Sequence, residues 1–377
     1  MRIALSLEHF DPALGGQAIW TRGFASWLLD AGHEVHVVAC GFGAHGLQVR
    51  THAVPWSRSP LARARRFADV LRAVNADVVH DAGAAVAEGL WQPHTGSDLH
   101  SLDRLIATEP WPRRTRAALS PKMHLLRMRM DVLEKAQARR AARIVAVSPL
   151  VAGLLAARHP RAAHKIVTVM NGVDTGVFSP EALTPMRAGA RRALGVGEET
   201  FLFLTAAHNP RLKGLDITLR ALAALCRGGA NAHLALAGGA EETEWRALAR
   251  ALGVEERLSF LGLLADMRPV YAAAVALAHP TRWDACSLVV LEALSAGLPV
   301  ITTRANGAAA AICDGESGLL LENPEDVTGL TRLMRSLLKP DTRARLSEGG
   351  RAAALAHDIR VNYAAVERLL SERAAAR

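Results

Sequence analysis

Short apolar, β-branched runs alternate with helix-length segments along the whole chain. In the first half the runs are Arg2–Leu7, Glu34–Ala39, Ala76–His80, Arg143–Val147 and Lys165–Met170. In the second half they are Thr200–Thr205, Ala232–Ala237, Arg257–Leu261, Ala274–His279, Pro299–Thr303 and Gly318–Glu322. Unbroken apolar strands separated by helices belong to parallel sheets covered on both faces. The helical stretches carry stop signals: Ala18–Ala31 runs into Gly32, and Ser287–Ala296 runs into Gly297 with Pro299 just beyond. Repeated strand–helix units predict an α/β protein of two doubly wound domains, about six strands in each. The turn-rich stretch NGVDTGVFSPEALTP separates the two halves. The expected domains are therefore 1–180 and 181–355, with a closing helix over 356–377 free to cross back onto the first domain.

Composition adds three points. A chain of 377 residues that is 50% hydrophobic and 21% charged can fill two cores without disulfide or metal staples. Cys40, Cys226, Cys286 and Cys313 form no C-x-x-C pair, so they are expected as reduced thiols in a cytoplasmic protein. In MRIALSLEHF, Glu8 interrupts the apolar run too early for a secretory leader, and no run is long enough to span a membrane. The net charge of +9 is concentrated: residues 104–143 hold eleven Lys and Arg against three acidic side chains.

Four segments could carry chemistry. In HPTRWDACSLVVLEALSAGLPV (279–300), a strand ends, a polar loop follows and a helix opens near Ser287. Ligands of open α/β sheets bind outside the carboxyl ends of strands, and a helix N-terminus offers free N–H groups to an anion. Asp284 and Glu292 bracket that opening. Carboxylates there suit sugar hydroxyls, although on spacing alone a capping Asp and an ordinary helix Glu is the better description. In AAHNPRLKGLD (206–216), Arg211 and Lys213 sit in a loop closed by Gly214, where two cations would neutralise a diphosphate as a bond to it breaks. A solvated loop would look the same. Gly15 and Gly16 follow the first strand and let backbone amides approach a phosphate, yet they are not a G-x-G-x-x-G motif. His94, in a polar loop with Thr95 and Gly96, is either structural or a ligand for acceptor or sugar hydroxyls.

These pieces, in this order, resemble the family-4 retaining glycosyltransferases of the GT-B fold, and are similar to lipopolysaccharide-core glucosyltransferases. LEALSAGLPVITT closely resembles the end of the family's E-x7-E region, and NGVDTGVFSP and IVAVSPLV look like further signatures. The resemblance implies two Rossmann-like domains facing each other across a cleft. It implies that Glu292 holds the ribose hydroxyls of the donor and that Asp284 contacts the transferred sugar. Amides at Ser287 and Leu288 would meet sugar hydroxyls or phosphate. Arg211 and Lys213 would neutralise the diphosphate, helped by the Gly16 amide beside Gly15, and His94 would lie beside the sugar. His94, Asp284 and Lys213 are thus the expected catalytic residues. Two departures bear on the sugar pocket: Asp284 stands for the first Glu, and Ala285, Cys286 and Ser287 replace the usual Gly-Phe-Gly. The Arg–Lys spacing is also short, which puts the weight on Lys213.

No D-x-D stands where a metal-bound diphosphate needs one, so no metal requirement is expected; the resemblance implies retaining transfer of a hexose with no cofactor and a UDP-sugar as donor. The expected acceptor is a lipid-linked or cell-envelope glycan. The basic segment mixes cations with Met, Leu and Ala, which suits docking on an anionic membrane from the cytoplasmic side; a solvated helix face is the alternative. The high pI does not imply nucleic acid as a partner, since no nucleic-acid signature accompanies it. Two other functions remain open on the residues: a nucleotide-sugar epimerase of the same fold, and a non-catalytic sugar-nucleotide or membrane-binding protein.

Overall fold

The computed structural model describes every residue except Ala240 and Arg377. The chain divides into two compact units: Met1–Met170 together with Arg360–Arg377, and Asn171–Ile359. The break falls at the start of the turn-rich stretch noted in the sequence.

In the first unit the chain runs β1 (Arg2–Ser6), β2 (His9–Phe10), α1 (Gly16–Asp30), β3 (Glu34–Ala39), β4 (Gly41–Phe42), β5 (Arg50–Ala53), α2 (Pro60–Val74), β6 (Val78–Asp81), β7 (Leu90–Trp91), α3 (Asp98–Thr108), α4 (Trp111–Leu119), α5 (Pro121–Arg140), β8 (Arg143–Ala146), α6 (Pro149–Arg158) and β9 (Ile166–Thr168). Its seven-stranded sheet has the order β5-β3-β1-β6-β7-β8-β9, and β2 pairs with β4 alongside. Strand pairing is parallel throughout. The closing helix spans Ile359–Ala375, and all but its first residue belongs to this unit. There Trp20 Nε1 of α1 donates to Asn362 Oδ1 at 2.8 Å, and Asn362 Nδ2 donates to the carbonyl of Met170 at 2.7 Å.

The second unit runs α7 (Pro180–Leu183), α8 (Arg187–Ala193), β10 (Phe201–Ala206), α9 (Leu215–Arg227), β11 (Ala232–Ala237), α10 (Glu242–Ala251), β12 (Leu258–Gly262), α11 (Arg268–Ala273), β13 (Ala276–His279), α12 (Leu288–Ser295), β14 (Val300–Thr303), β15 (Leu319–Leu321), α13 (Val327–Ser336) and α14 (Pro340–Leu355). Its six strands form one parallel sheet, β12-β11-β10-β13-β14-β15. Both faces are covered: Leu202, Phe203, Leu204, Leu234, Ala235 and Leu236 are wholly buried, which accounts for the unbroken apolar runs.

A buried arginine ties the helices of this unit together. Arg191 of α8 is 1% exposed. It donates to the carbonyl of Ala273, at the end of α11, at 2.7 Å and to that of Thr200 at 2.7 Å. Its neighbour Arg187 donates to Ala272 O at 2.8 Å. The last carbonyls of a helix have no partner inside it, and these two guanidinium groups supply partners. Replacing Arg191 by Met leaves those buried carbonyls unpaired and is expected to cost about 3 kcal/mol. Chemical denaturation followed by far-UV circular dichroism would measure it, and Lys at the same position would restore only part, because an ammonium cannot span the fork.

Candidate functional site

The carboxyl edge of the second sheet is where two loops meet. One leaves β10 and carries Arg211, Lys213 and Gly214; the other leaves β13 and carries Thr281, Trp283 and Asp284. They are stitched together by backbone and hydroxyl groups: Arg282 N–H donates to Leu212 O at 2.8 Å, and the Thr281 hydroxyl donates to Leu212 O at 3.1 Å. Gly214 makes the close approach possible. Its φ is +75°, and a Cβ there would lie 2.3 Å from the carbonyl oxygen of Pro280.

Stitching the loops brings Lys213 and Asp284 together. Lys213 Nζ lies 2.5 Å from Asp284 Oδ2 and 3.3 Å from Trp283 O. Their side chains are 18% and 17% exposed, so the pair is largely out of water. Beneath it, at the last position of β13, His279 is wholly buried. Its Nε2 stands 3.8 Å from Asp284 Oδ2, too long for a hydrogen bond, and neither ring nitrogen has a hydrogen-bond partner. Burial lowers the His279 pKa, so the ring is neutral. Burial also pushes the Asp284 carboxyl up, but the Lys213 ammonium outweighs it and holds the group well below the ordinary carboxylate range.

The helix after Asp284 opens as expected, with Leu288 as its first residue. The Ser287 amide, expected to face a ligand, is instead taken by Asn306 Oδ1 at 3.2 Å. Asn306 is 1% exposed, and its Nδ2 donates to Thr302 Oγ1 at 3.1 Å. Asp284 N–H donates to Ala305 O at 3.0 Å, and Gly307 N–H donates to Asp284 O at 2.9 Å, so residues 305–307 fix the loop from the far side. The amides of the first turn from Leu288 onward lack intrahelical partners, as at any helix start.

Glu292 lies half-buried on the same helix. The hydroxyl of Tyr271, on α11, donates to its Oε2 at 2.7 Å. Burial raises the Glu292 pKa, and the Tyr271 hydrogen bond opposes that rise. Arg211 is not brought to this group. Its guanidinium pairs with Glu244 of α10 and lies 5.3 Å from the ring centre of Trp245. Arg282 is the arginine built into the loop: it grips Asp216 through two bonds of 2.8 and 2.9 Å and also pairs with Glu325. Sequence spacing pointed to none of His279, Asn306, Tyr271 and Arg282. The available signal was a His at the end of β13 and polar side chains in the segments around it.

The remaining candidates belong to the first unit. Gly15 caps α1 with φ +124°, a conformation that favours glycine, and Gly16 is the first residue of that helix. His94 lies between β7 and α3. Its ring centre is 4.8 Å from that of Trp20, and its Nε2 is buried without a hydrogen-bond partner. Burial, with His80 nearby, pushes its pKa down to about 3, so His94 offers a neutral ring at physiological pH. The loop is held by Ser97, whose hydroxyl donates to Glu134 Oε2 of α5 at 2.6 Å; Arg158 and His159 lie 2.7 and 2.9 Å from the other oxygen. Among the described residues no group of three or more His, Cys, Asp or Glu is placed to hold a metal ion.

The Asp284–Lys213 pair makes a pH-dependent contribution to stability. A folded pKa below the ordinary 3.8 means that the contribution is complete above that value and is lost as acid protonates the folded carboxyl. Asp284→Asn is expected to destabilise the chain at pH 7 by about 2–3 kcal/mol, since it leaves Lys213 largely buried and unpaired. The gap between variant and wild type should close only as the pH falls below the ordinary carboxylate range. Urea titrations from pH 2 to pH 7 would follow it.

Comparison with known proteins places the chain. The profile described as "Glycosyltransferase Family 4" matches residues 14–177, and the one described as "Glycosyl transferases group 1" matches residues 198–340. The chain is 34% identical over 223 residues to the D-inositol 3-phosphate glycosyltransferase of Saccharomonospora viridis, covering 56% of this chain and 51% of that protein. It is 32% identical over 171 residues to the lipopolysaccharide glucosyltransferase WaaG of Escherichia coli, covering 45% and 46%. The chain thus spans about half the length of the curated relatives it matches. The crystal structure of WaaG superposes with a TM-score of 0.81 at 22% identity, over 98% of this chain and 99% of that one. That of Anabaena HepE in complex with UDP-glucose superposes with a TM-score of 0.75 at 20% identity, over 99% and 100%. With both units matched in sequence and the whole chain matched in fold, the protein belongs to the family-4 glycosyltransferases and has their GT-B fold of two Rossmann-like domains.

Proposed function

We propose that the chain transfers a hexose from a nucleotide diphosphate sugar, a UDP-sugar foremost, to a lipid-linked or cell-envelope glycan, with retention and without a metal ion. The observation that carries this reading is the Lys213–Asp284 pair at the carboxyl edge of the second sheet, beside the open end of α12. A diphosphate sugar matches its two halves: an ammonium for the phosphate, a carboxylate for sugar hydroxyls. As the bond from sugar to phosphate breaks, charge grows on the leaving diphosphate. Lys213 and the first amides of α12, Leu288 among them, are set to stabilise it. Departure and attack on the same face of the sugar give retention. Glu292, with one oxygen held by Tyr271, accepts the ribose hydroxyls. In the first unit, Gly15 and Gly16 at the start of α1 offer backbone amides to an anion, and neutral His94 offers a hydrogen-bonding ring. Arg211 reaches the diphosphate only by leaving Glu244. UDP-glucose in the HepE complex, and glycosyl acceptors in the names of the inositol-phosphate and lipopolysaccharide relatives, support the choice of donor and acceptor class.

Thermal stabilisation by a panel of nucleotide sugars tests the donor, since a ligand at a hundred times its Kd adds about 2.7 kcal/mol. Asp284→Ala and Lys213→Ala are each expected to lower transfer at least ~100-fold, whereas a purely binding protein would lose no turnover. Conversion of the donor to an epimer without acceptor would favour an epimerase, and loss of transfer in EDTA with recovery in manganese would refute the metal-free route.

The basic segment is proposed to dock on anionic membrane. Trp111, Leu119, Met128 and Val132 are 71%, 77%, 57% and 53% exposed on α4 and α5, among the cations. Among the described residues no helix is long and apolar enough to cross a membrane. The chain should float with vesicles of phosphatidylglycerol but not phosphatidylcholine, and less so at high salt. Trp111→Ser with Leu119→Ser should weaken vesicle binding about 30-fold, at about 1 kcal/mol per lost side chain.

A further inference from the structure

The carboxyl edge of the first sheet carries a second group of side chains for which the donor chemistry has no use. Glu8 and His9 follow β1, and Pro55–Ser57 follow β5. Because β1, β3 and β5 run parallel side by side, both loops leave from one edge, the edge at which such sheets bind ligands. Two guanidinium groups from α2 clamp the second loop. Arg63 donates to Ser57 O at 2.8 Å, and Arg66 donates to Pro55 O and Trp56 O, each at 3.0 Å. The Arg63 guanidinium also lies 4.5 Å from the Trp56 ring centre, and it pairs with Glu8. The His9 ring stands 5.7 Å from the indole, tilted by 32°.

Despite all this support Trp56 is 52% exposed. An indole fixed by its neighbours and still open to solvent is a stacking surface that loses little freedom on binding. Beside it, Glu8 gives Oε1 to Arg63, and its side chain is 42% exposed. An apolar ring face with a carboxylate at its rim matches a pyranose, which has a C–H face for the indole and hydroxyls for the carboxylate. The rim carboxylate offers nothing to a lipid tail.

We propose that Trp56, clamped by Arg63 and Arg66, is a stacking platform for a sugar ring of the acceptor glycan, with Glu8 binding that ring's hydroxyls. The proposal rests on the glycosyltransferase reading and adds a carbohydrate subsite in the first unit.

The test uses the full chain, with saturation-transfer NMR on maltose, methyl α-glucopyranoside and methyl α-mannopyranoside as probes. The thermal shift produced by UDP is measured on the same samples. Wild type should saturate the ring C–H protons of at least one probe. Trp56→Ala should reduce the signal about tenfold, the loss of one stacked aromatic contact, while Trp56→Phe keeps much of it. Glu8→Gln should reduce it severalfold, and the UDP shift should persist in every variant. Equal signals from wild type and Trp56→Ala, or none from wild type, with the UDP shift intact, would overturn the platform and leave the donor reading standing. Trp56→Ala losing phosphatidylglycerol vesicle binding but not the sugar signal would also overturn it. No UDP shift in wild type would overturn the choice of a UDP-sugar as donor, and the sugar signals would still decide the platform.

Discussion

A carboxylate taken largely out of water must be given a cation, and here the pairing of Asp284 with Lys213 organises the second unit's ligand edge. The two residues come from loops after different strands, so the pair exists only if those loops touch. Gly214 lets them touch, Thr281 and Arg282 lock them, and Asn306 holds the far side of the Asp284 turn. The same contact that satisfies the apo protein is the one a diphosphate sugar would divide. Binding must therefore replace an ion pair with two new interactions of comparable strength, which favours ligands carrying both an anion and hydroxyls.

A second line of support reaches Glu292 from a distance. Arg187 and Arg191 fix the end of α11 through its carbonyls, α11 carries Tyr271, and Tyr271 holds one oxygen of Glu292. A buried arginine thus bears, through α11 and Tyr271, on the orientation of the Glu292 carboxylate. In the first unit Glu134 has a similar part. It lies on α5 within the basic segment and holds Ser97, the cap of α3, just beyond His94.

Most strands were legible because both faces of each sheet are covered, so each strand is a continuous apolar run. β5 was not: its residues Arg50–Ala53 lie at a sheet edge and face solvent, leaving no such run. β7 is only two residues long. At the candidate site, what could be read was whatever sits at fixed spacing along one segment, such as Asp284, Glu292 and the Lys213–Gly214 loop. Partners that meet through tertiary contact were hidden. Arg211 looked like a companion of Lys213 because they are two residues apart, yet Glu244 and Trp245 compete for it. The Ser287 amide looked free because nothing local reveals Asn306. Tyr271 and His279 are buried, and their polar atoms gain meaning only beside Glu292 and Asp284.

The closing helix also sets the order in which the molecule can be completed. The second unit is an insertion within the first, and its two ends already meet: Val173 N–H bonds to His357 O, Ile359 N–H bonds back to Val173 O, and Gly172 leaves no room for a Cβ beside Ile359. A nascent chain can therefore finish its second unit while its first still lacks Asn362 and Tyr363, the partners of Trp20. The unit begun earliest in synthesis is the last to be sealed.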